Sequence, residues 1–363
     1  MGSCRRILGV LGLLSSLALS PSVPAAARAV SPVGEKADIP LTRRYQAVRH
    51  GGLVRASNSA ISCRAGVAPV RPGAPSCAAA RAGAQAANGS YEMFYSDLDD
   101  NPDTYNTTRA ELRIPAGAKV EYARLYWGGN LRVGEQKPPA DNGRVLIAEP
   151  GGAYREVLAD TLIGHRTDSG RDAYQASADV TPLVRSAGSG LWTVSQLNVA
   201  MGNTPVGAWG GWTLVVAYDH PREPLRRVSL WDGFGPAGEL GPLRLDGLGA
   251  PPGAAGRVGL VAYDGDPGVR GDSLTVTADR GASRRLGDAV NPPDDVLNST
   301  ISEFGRHSTG RQPEYQNTLG YDADLLDLGP ALTRGADTLE FRLDGANASP
   351  LLGVLFTQTD VRP

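Results

Sequence analysis

Four oxygen-bearing side chains stand two apart in Asp97-Leu-Asp-Asp-Asn-Pro-Asp103: Asp97, Asp99, Asn101 and Asp103. Acidic loops wrap a hard cation with this spacing, because calcium takes six to eight oxygens. Pro102 and Asp100 limit how far the loop can relax, so carbonyls, waters or a distant carboxylate must complete the shell. No Gly stands at the sixth position and no Glu at the twelfth, so this is not an EF-hand. The competing reading is a polar turn whose Asp and Asn side chains cap backbone amides. Calcium on these four residues is the one cofactor the sequence suggests.

Other candidate chemistry is thinner. Gly271-Asp-Ser-Leu274 spells an esterase signature whose Ser is a nucleophile and needs an Asp-x-x-His near the C-terminus. Here Ser273 enters an alternating stretch, and no His follows His307. His165, Asp168 and Ser169 are sequence neighbours in what reads as a polar loop, whereas catalytic triads assemble from distant segments. His50, His165, His220 and His307 are scattered, without the i, i+4 spacing of a helical zinc site. Arg270-Gly-Asp272 matches an adhesion tripeptide, a string short enough to recur by chance. Trp209, in Gly207-Ala-Trp-Gly-Gly211, is the candidate ligand-binding residue, an indole placed to form a platform for a sugar ring. Trp127, Trp212 and Trp231 read as core. No residue is assigned a catalytic role.

Short strands must hold these groups. Gly 46 and Pro 27 in 363 residues weaken helices and punctuate turns. Residues 212–218 are apolar and β-branched, opened by glycines and closed by Pro221 and Pro224, which predicts a buried strand. Residues 228–232 predict the next. Leu339-Glu-Phe-Arg-Leu343 and Ser273-Leu-Thr-Val-Thr277 alternate with period two, the mark of an antiparallel sheet over a core. From Tyr91 the pattern runs twice: Leu112-Arg-Ile-Pro-Ala-Gly117 has its counterpart in Leu243-Arg-Leu-Asp-Gly247, and Ala178-Asp-Val-Thr181 in Ala323-Asp-Leu-Leu326. The expected fold is all-β and antiparallel, two tandem jelly-roll or Greek-key-like β-sandwich units over 88–220 and 221–363. Few identities relate the halves, so a shared sandwich pattern without duplication accounts for them as well. Residues 30–87, rich in Pro, Ala, Gly and Arg, read as a leading arm with strand character only at 52–55 and 60–63.

Residues 1–29 read as a secretion signal, with Arg5 and Arg6 ahead of an apolar run too short to span a bilayer. The general export route fits better than the twin-arginine one. No later stretch is long and apolar enough to cross a membrane, and a net charge of −2 attracts neither nucleic acid nor an anionic membrane. The mature chain is expected outside the cell, released or held at its surface by non-covalent contacts. There Cys63 and Cys77, the only thiols left, most simply form a disulfide, with a metal pair or free thiols as alternatives. Such a loop contributes about 3 kcal/mol in the chain-entropy description.

The pieces then align with something known. Asn88-Gly-Ser-Tyr91 with Asp97-x-Asp99, Ile114-Pro-Ala-Gly-Ala118, Ala123-Arg-Leu-Tyr-Trp-Gly128 and Ala178-Asp-Val-Thr181 come first. Gly211-Trp-Thr-Leu-Val-Val-Ala-Tyr218, Pro224-Leu-Arg226, Trp231-Asp-Gly-Phe234 and Gly271-Asp-Ser-Leu274 follow. In that order they resemble a block in uncharacterised secreted proteins of high-GC actinobacteria, often followed there by immunoglobulin-like repeats and sometimes a wall anchor. The resemblance implies an exported, β-rich protein and carries no activity, since the group has none assigned. This chain reaches Pro363 without such repeats, which counts against a stalk-like surface role. The expected function is non-enzymatic binding of cell-wall glycan or of surface proteins. An extracellular hydrolase and a structural surface or matrix component are the alternatives.

Overall fold

Residues 212–218 form the middle of the strand Gly210–Asp219, and every one of them is buried. Trp212, Leu214 and Val216 enter one core, Val215 and Ala217 another. A strand covered on both faces has no polar side to show, which explains the unbroken apolar run. Leu225–Pro236 follows, so both strands expected around residue 220 are present. The computed structural model describes residues 1–2, 33–279, 281–345 and 350–362. The expected secretion signal lies outside the described residues apart from Met1 and Gly2. From Val33 onward the chain is one compact unit.

A 21-residue strand, Ile39–Ser59, organises that unit by serving two sheets in succession. Its first part pairs with Leu225–Pro236, as in Leu225 with His50; its second pairs with Gly210–Asp219, starting at Asp219 with Gly51. The changeover falls at Gly51-Gly52. A Cβ on Gly51 would meet Tyr218 O at 2.0 Å, and one on Gly52 would meet Gln358 Oε1 at 2.4 Å. Only glycine fits this corner. The leading arm expected over 30–87 is corrected accordingly. Its Arg and Gly content concealed a central strand whose first part leaves alternate side chains in solvent.

Each of these sheets is covered by another on its far side. The first contains Arg171–Asp179, Lys119–Asn130 and Gly210–Asp219; its cover contains Thr108–Leu112, Gly190–Ser195 and Arg144–Ala148. Trp127, Trp192 and Trp212 fill the space between. The second contains Leu225–Pro236, Leu351–Asp360, Gly256–Tyr263 and Tyr321–Asp327, under a cover of Leu243–Leu245, Leu339–Asp344 and Ser273–Ala278. Leu260, Phe341 and Leu355 lie in that core. Each fully buried Leu or Phe contributes about 1.5–3 kcal/mol. The pairings are antiparallel except at the short strands Glu35–Lys36 and Ile301–Glu303. The fold is an all-β, antiparallel sandwich.

The two inner sheets also press against each other, and glycines make the seam thin. A Cβ at Gly164 would lie 2.3 Å from Phe234, at Gly211 2.7 Å from Tyr321, and at Gly353 1.7 Å from Gln175 Oε1. Tyr263 donates its hydroxyl to Gln175 Oε1 at 2.9 Å, while Gln175 Nε2 donates to Gly233 O at 2.9 Å. Further along, Arg311–Gln312 from the second half pairs with Thr108–Leu112 in the cover of the first. Residue 220 marks a corner inside one body.

Candidate ligand-binding cleft

Away from its glycines the seam opens into a cavity of about 700 Å³. One wall is 53–57 of the long strand with Ala110, Glu111 and Arg113; the other is the segment 303–311 with Arg257. Five arginines line it, Arg55, Arg113, Arg257, Arg306 and Arg311, against two carboxylates, Glu111 and Glu303. Each Arg comes from a different strand or strand end, so this cluster exists only in the fold.

Their donors are unequally employed. Arg311 is tied down: Nε donates to Ser308 O at 3.1 Å, Nη1 to Asn58 Oδ1 at 3.2 Å and Nη2 to Tyr315 O at 2.8 Å. Burial, helped by the charge of Arg55, pulls its pKa down to about 10. Among the described residues Arg55 gives only Nη2, to Ser302 O at 2.5 Å and Ser308 Oγ at 3.5 Å. Its Nε is buried without a partner among the described residues, and burial lowers its pKa against the pull of Asp324 and Glu303. The Arg257 guanidinium makes no hydrogen bond among the described residues and lies over the Phe304 ring, 5.5 Å from its centroid. Glu111 accepts from Arg113 at 2.6 Å, and that bond holds its carboxyl below the usual range. Burial and then Arg311 push the His307 imidazole down, so it is neutral at pH 7. The cleft therefore holds guanidinium donors in excess of acceptors, the chemistry that takes carboxylate or phosphate.

Phe304 forms its lip. It and Gly305 are the two turn residues between Ile301–Glu303 and Arg306–His307, with φ of 50° and 75°. A two-residue hairpin turn with both φ positive favours Asn-Gly or Asp-Gly. A bulky aromatic there is an outlier, and holding it costs about 1–3 kcal/mol. Phe304 is nonetheless 44% exposed, so burial does not offset that cost.

The residues singled out by sequence lie elsewhere. Trp209 is 0% exposed, its ring 5.5 Å from that of Tyr263, so it offers no face to a sugar. The glycines around it let the sheets approach closely and fold the indole into the seam, which corrects its assignment as a platform. In the loop at 97–103, Asp99 accepts from Tyr154 Oη and from Thr104 Oγ1 at 2.8 Å, and Asn101 Oδ1 accepts from Asp103 N at 3.0 Å. Asp97, Asp99 and Asp103 do not converge: among the described residues no three His, Cys, Asp or Glu side chains are grouped to hold a metal. Asp99 and Asn101 thus engage their oxygens with protein groups, as in a polar turn. Ser273 is buried in Ser273–Ala278, and buried Asp272 accepts from Val296 N and Leu297 N, which leaves neither the esterase nor the adhesion string accessible. His165 is in a strand and not a loop, bridging Glu35 and Asp172 at 2.7 Å each. Cys63 and Cys77 form the expected disulfide, with Cα atoms 5.7 Å apart. What sequence reading missed is the arginine cluster and Phe304. The one local signal was Phe304-Gly305 standing where a hairpin normally carries Asn-Gly.

No family model matches the chain, and no curated protein matches it. Among solved structures, one of Sulfolobus Turreted Icosahedral Virus has a TM-score of 0.20 and 12% identity, covering 72% of this chain and 90% of its own. PNGase F, a glycosylasparaginase from Flavobacterium meningosepticum, has a TM-score of 0.19 and 11% identity, covering 77% and 94%. Likenesses at this level bear on neither activity nor ligand.

Proposed function

We propose that this chain is an extracellular binding protein of the actinobacterial group it resembles, and that its cleft takes an acidic glycan of the cell envelope. The observation that carries the reading is the arginine surplus, with Arg55 and Arg257 underused by the protein itself. An exposed aromatic beside guanidinium groups with donors to spare suits a sugar ring bearing a carboxylate. The disulfide supports an oxidising compartment. Binding is favoured over hydrolysis because a glycosidase needs one carboxyl with a raised pKa as its acid, and Arg113 lowers that of Glu111.

A glycan array carrying uronate, phosphate-bearing and neutral oligosaccharides tests this with the purified chain. Uronate glycans should bind, and Arg55→Met should weaken that binding by about tenfold or more while leaving the fold intact, as a lost charge-assisted hydrogen bond implies. Equal binding of neutral and acidic glycans, or an unaffected Arg55→Met, refutes the reading.

A further inference from the structure

Phe304 and Arg257 do not line the arginine cleft alone. On their other side is a second recess of about 310 Å³, lined also by Arg226, Asp327, Gln358 and Asp360. The two recesses share the Phe304–Arg257 pair as a ridge. Their chemistry differs. In the second recess Arg226 is already neutralised, donating Nε to Asp360 Oδ1 at 2.9 Å and Nη1 to Glu223 Oε2 at 2.7 Å. Asp327 Oδ1 accepts Gly329 N at 2.8 Å and Gln358 Oε1 accepts Leu53 N at 2.8 Å. Among the described residues Asp327 Oδ2, Asp360 Oδ2 and the Gln358 amide hydrogens have no partner, so the recess presents hydroxyl partners and not an anion trap.

Resting on the acidic-glycan reading, we infer that the ligand is an oligosaccharide spanning both recesses, at least two sugars long, with one ring stacked on Phe304. The charged sugar lies among the cleft arginines, and the next ring places its hydroxyls against Asp327, Asp360 and Gln358. Phe304 is the element that joins the subsites, which accounts for an aromatic held in a left-handed turn where Asn would cost less. Arg257 lies over the same ring at 5.5 Å, a cation–π contact that holds the ring in place beside both recesses. Both cavities fall within or near the size range of small-ligand sites.

Calorimetry with galacturonate, di- and tetragalacturonate and neutral maltotetraose separates the possibilities. The wild type should bind tetragalacturonate about tenfold tighter than the monomer, the gain expected of one stacked ring and its hydroxyl contacts. Phe304→Asn is the informative variant, because Asn-Gly suits this turn and the chain should melt at the same temperature or higher. It should bring tetragalacturonate down to the affinity of the monomer for the same variant, abolishing the gain with length whatever the monomer itself loses. Equal affinity for monomer and tetramer in the wild type overturns the spanning ligand and leaves the acidic cleft standing, as does a Phe304→Asn chain that keeps the full gain. Failure of every uronate to bind overturns the acidic-glycan reading itself.

Discussion

The seam between the inner sheets is built in two ways along its length. At one end Gly128, Gly164, Gly211 and Gly353 bring the sheets close around Trp209, Tyr263, Tyr321 and Phe234, and polar groups there find partners across the gap. At the other end the same strands carry Arg55 and Leu325 into an open cavity, where guanidinium groups outnumber acceptors. Closed packing uses small residues and cross-seam bonds, with Trp209 Nε1 buried there without a partner among the described residues; the cleft adds unused charged donors and a strained turn. The contrast teaches where to look on a sandwich with no recognisable motif. Groups without partners that face an open cavity are the ones available to a ligand.

Charge insertion should cost most at the closed end. Val261 is fully buried among Ala323 and Val354 on neighbouring strands, so Val261→Asp introduces an unpaired carboxylate and should destabilise by about 4 kcal/mol. Val215 is equally buried but pairs directly with Arg55 on one neighbouring strand and Arg124 on the other. Val215→Asp therefore gains a guanidinium partner and should cost about half as much, while drawing Arg55 away from the cleft and weakening uronate binding. Chemical denaturation and calorimetry on both variants check this. Equal losses of stability would show that the open end is no different from the closed one.

How much of this was legible beforehand depends on the distance between cooperating residues. The strand at 212–218, the disulfide and the antiparallel class were readable because apolar runs and cysteine count are local signals. The long strand Ile39–Ser59 was not, since its Gly51-Gly52 corner and its alternating Arg residues imitate a linker. The acidic loop attracted attention through its spacing, yet close neighbours are the groups best placed to satisfy one another. The five arginines come from positions as far apart as 55 and 311, and nothing in the chain order groups them.

Acidity should sharpen the contrast next. In the second half burial pushes Asp264 up to about 8, Asp272 and Asp324 to about 7 and Asp266 to about 6. A carboxyl with a raised folded pKa contributes stability that is present below its unfolded value, near 4, and lost as pH rises through the folded one. His165 acts in the same direction: burial lowers its pKa, but the bonds to Glu35 and Asp172 outweigh that and raise it, so its contribution fades above its ordinary value of 6.5. Asp168, Asp172 and Asp99 have lowered values and lose their contribution only as pH falls below the ordinary carboxyl range. Stability should therefore be greater at pH 5 than at pH 8, by several kcal/mol and several degrees in melting temperature. Asp324→Asn should flatten the profile between those values. A higher melting point at pH 8 would mean that these carboxyls are ionised in the folded chain, as the 3.1 Å bond from Arg171 to Asp264 permits.

The smallest effect belongs to the acidic loop, and it tests the idea that local groups satisfy themselves. Burial raises the Asp99 pKa, but hydrogen bonds from Tyr154 and Thr104 more than reverse this, while Tyr154 itself is pushed up to about 12. The carboxylate is therefore engaged without an ion. Tyr154→Phe should remove one such bond and cost about 1 kcal/mol, a few degrees in melting temperature. Because Asp97 and Asp103 do not gather around Asp99, millimolar calcium should shift neither protein. Melting curves with calcium or with chelator read both points together. A binding heat in the wild type that disappears in Asp97→Ala/Asp99→Ala would show that the loop rearranges around a cation, and that its two-residue spacing outweighs the turn it forms here.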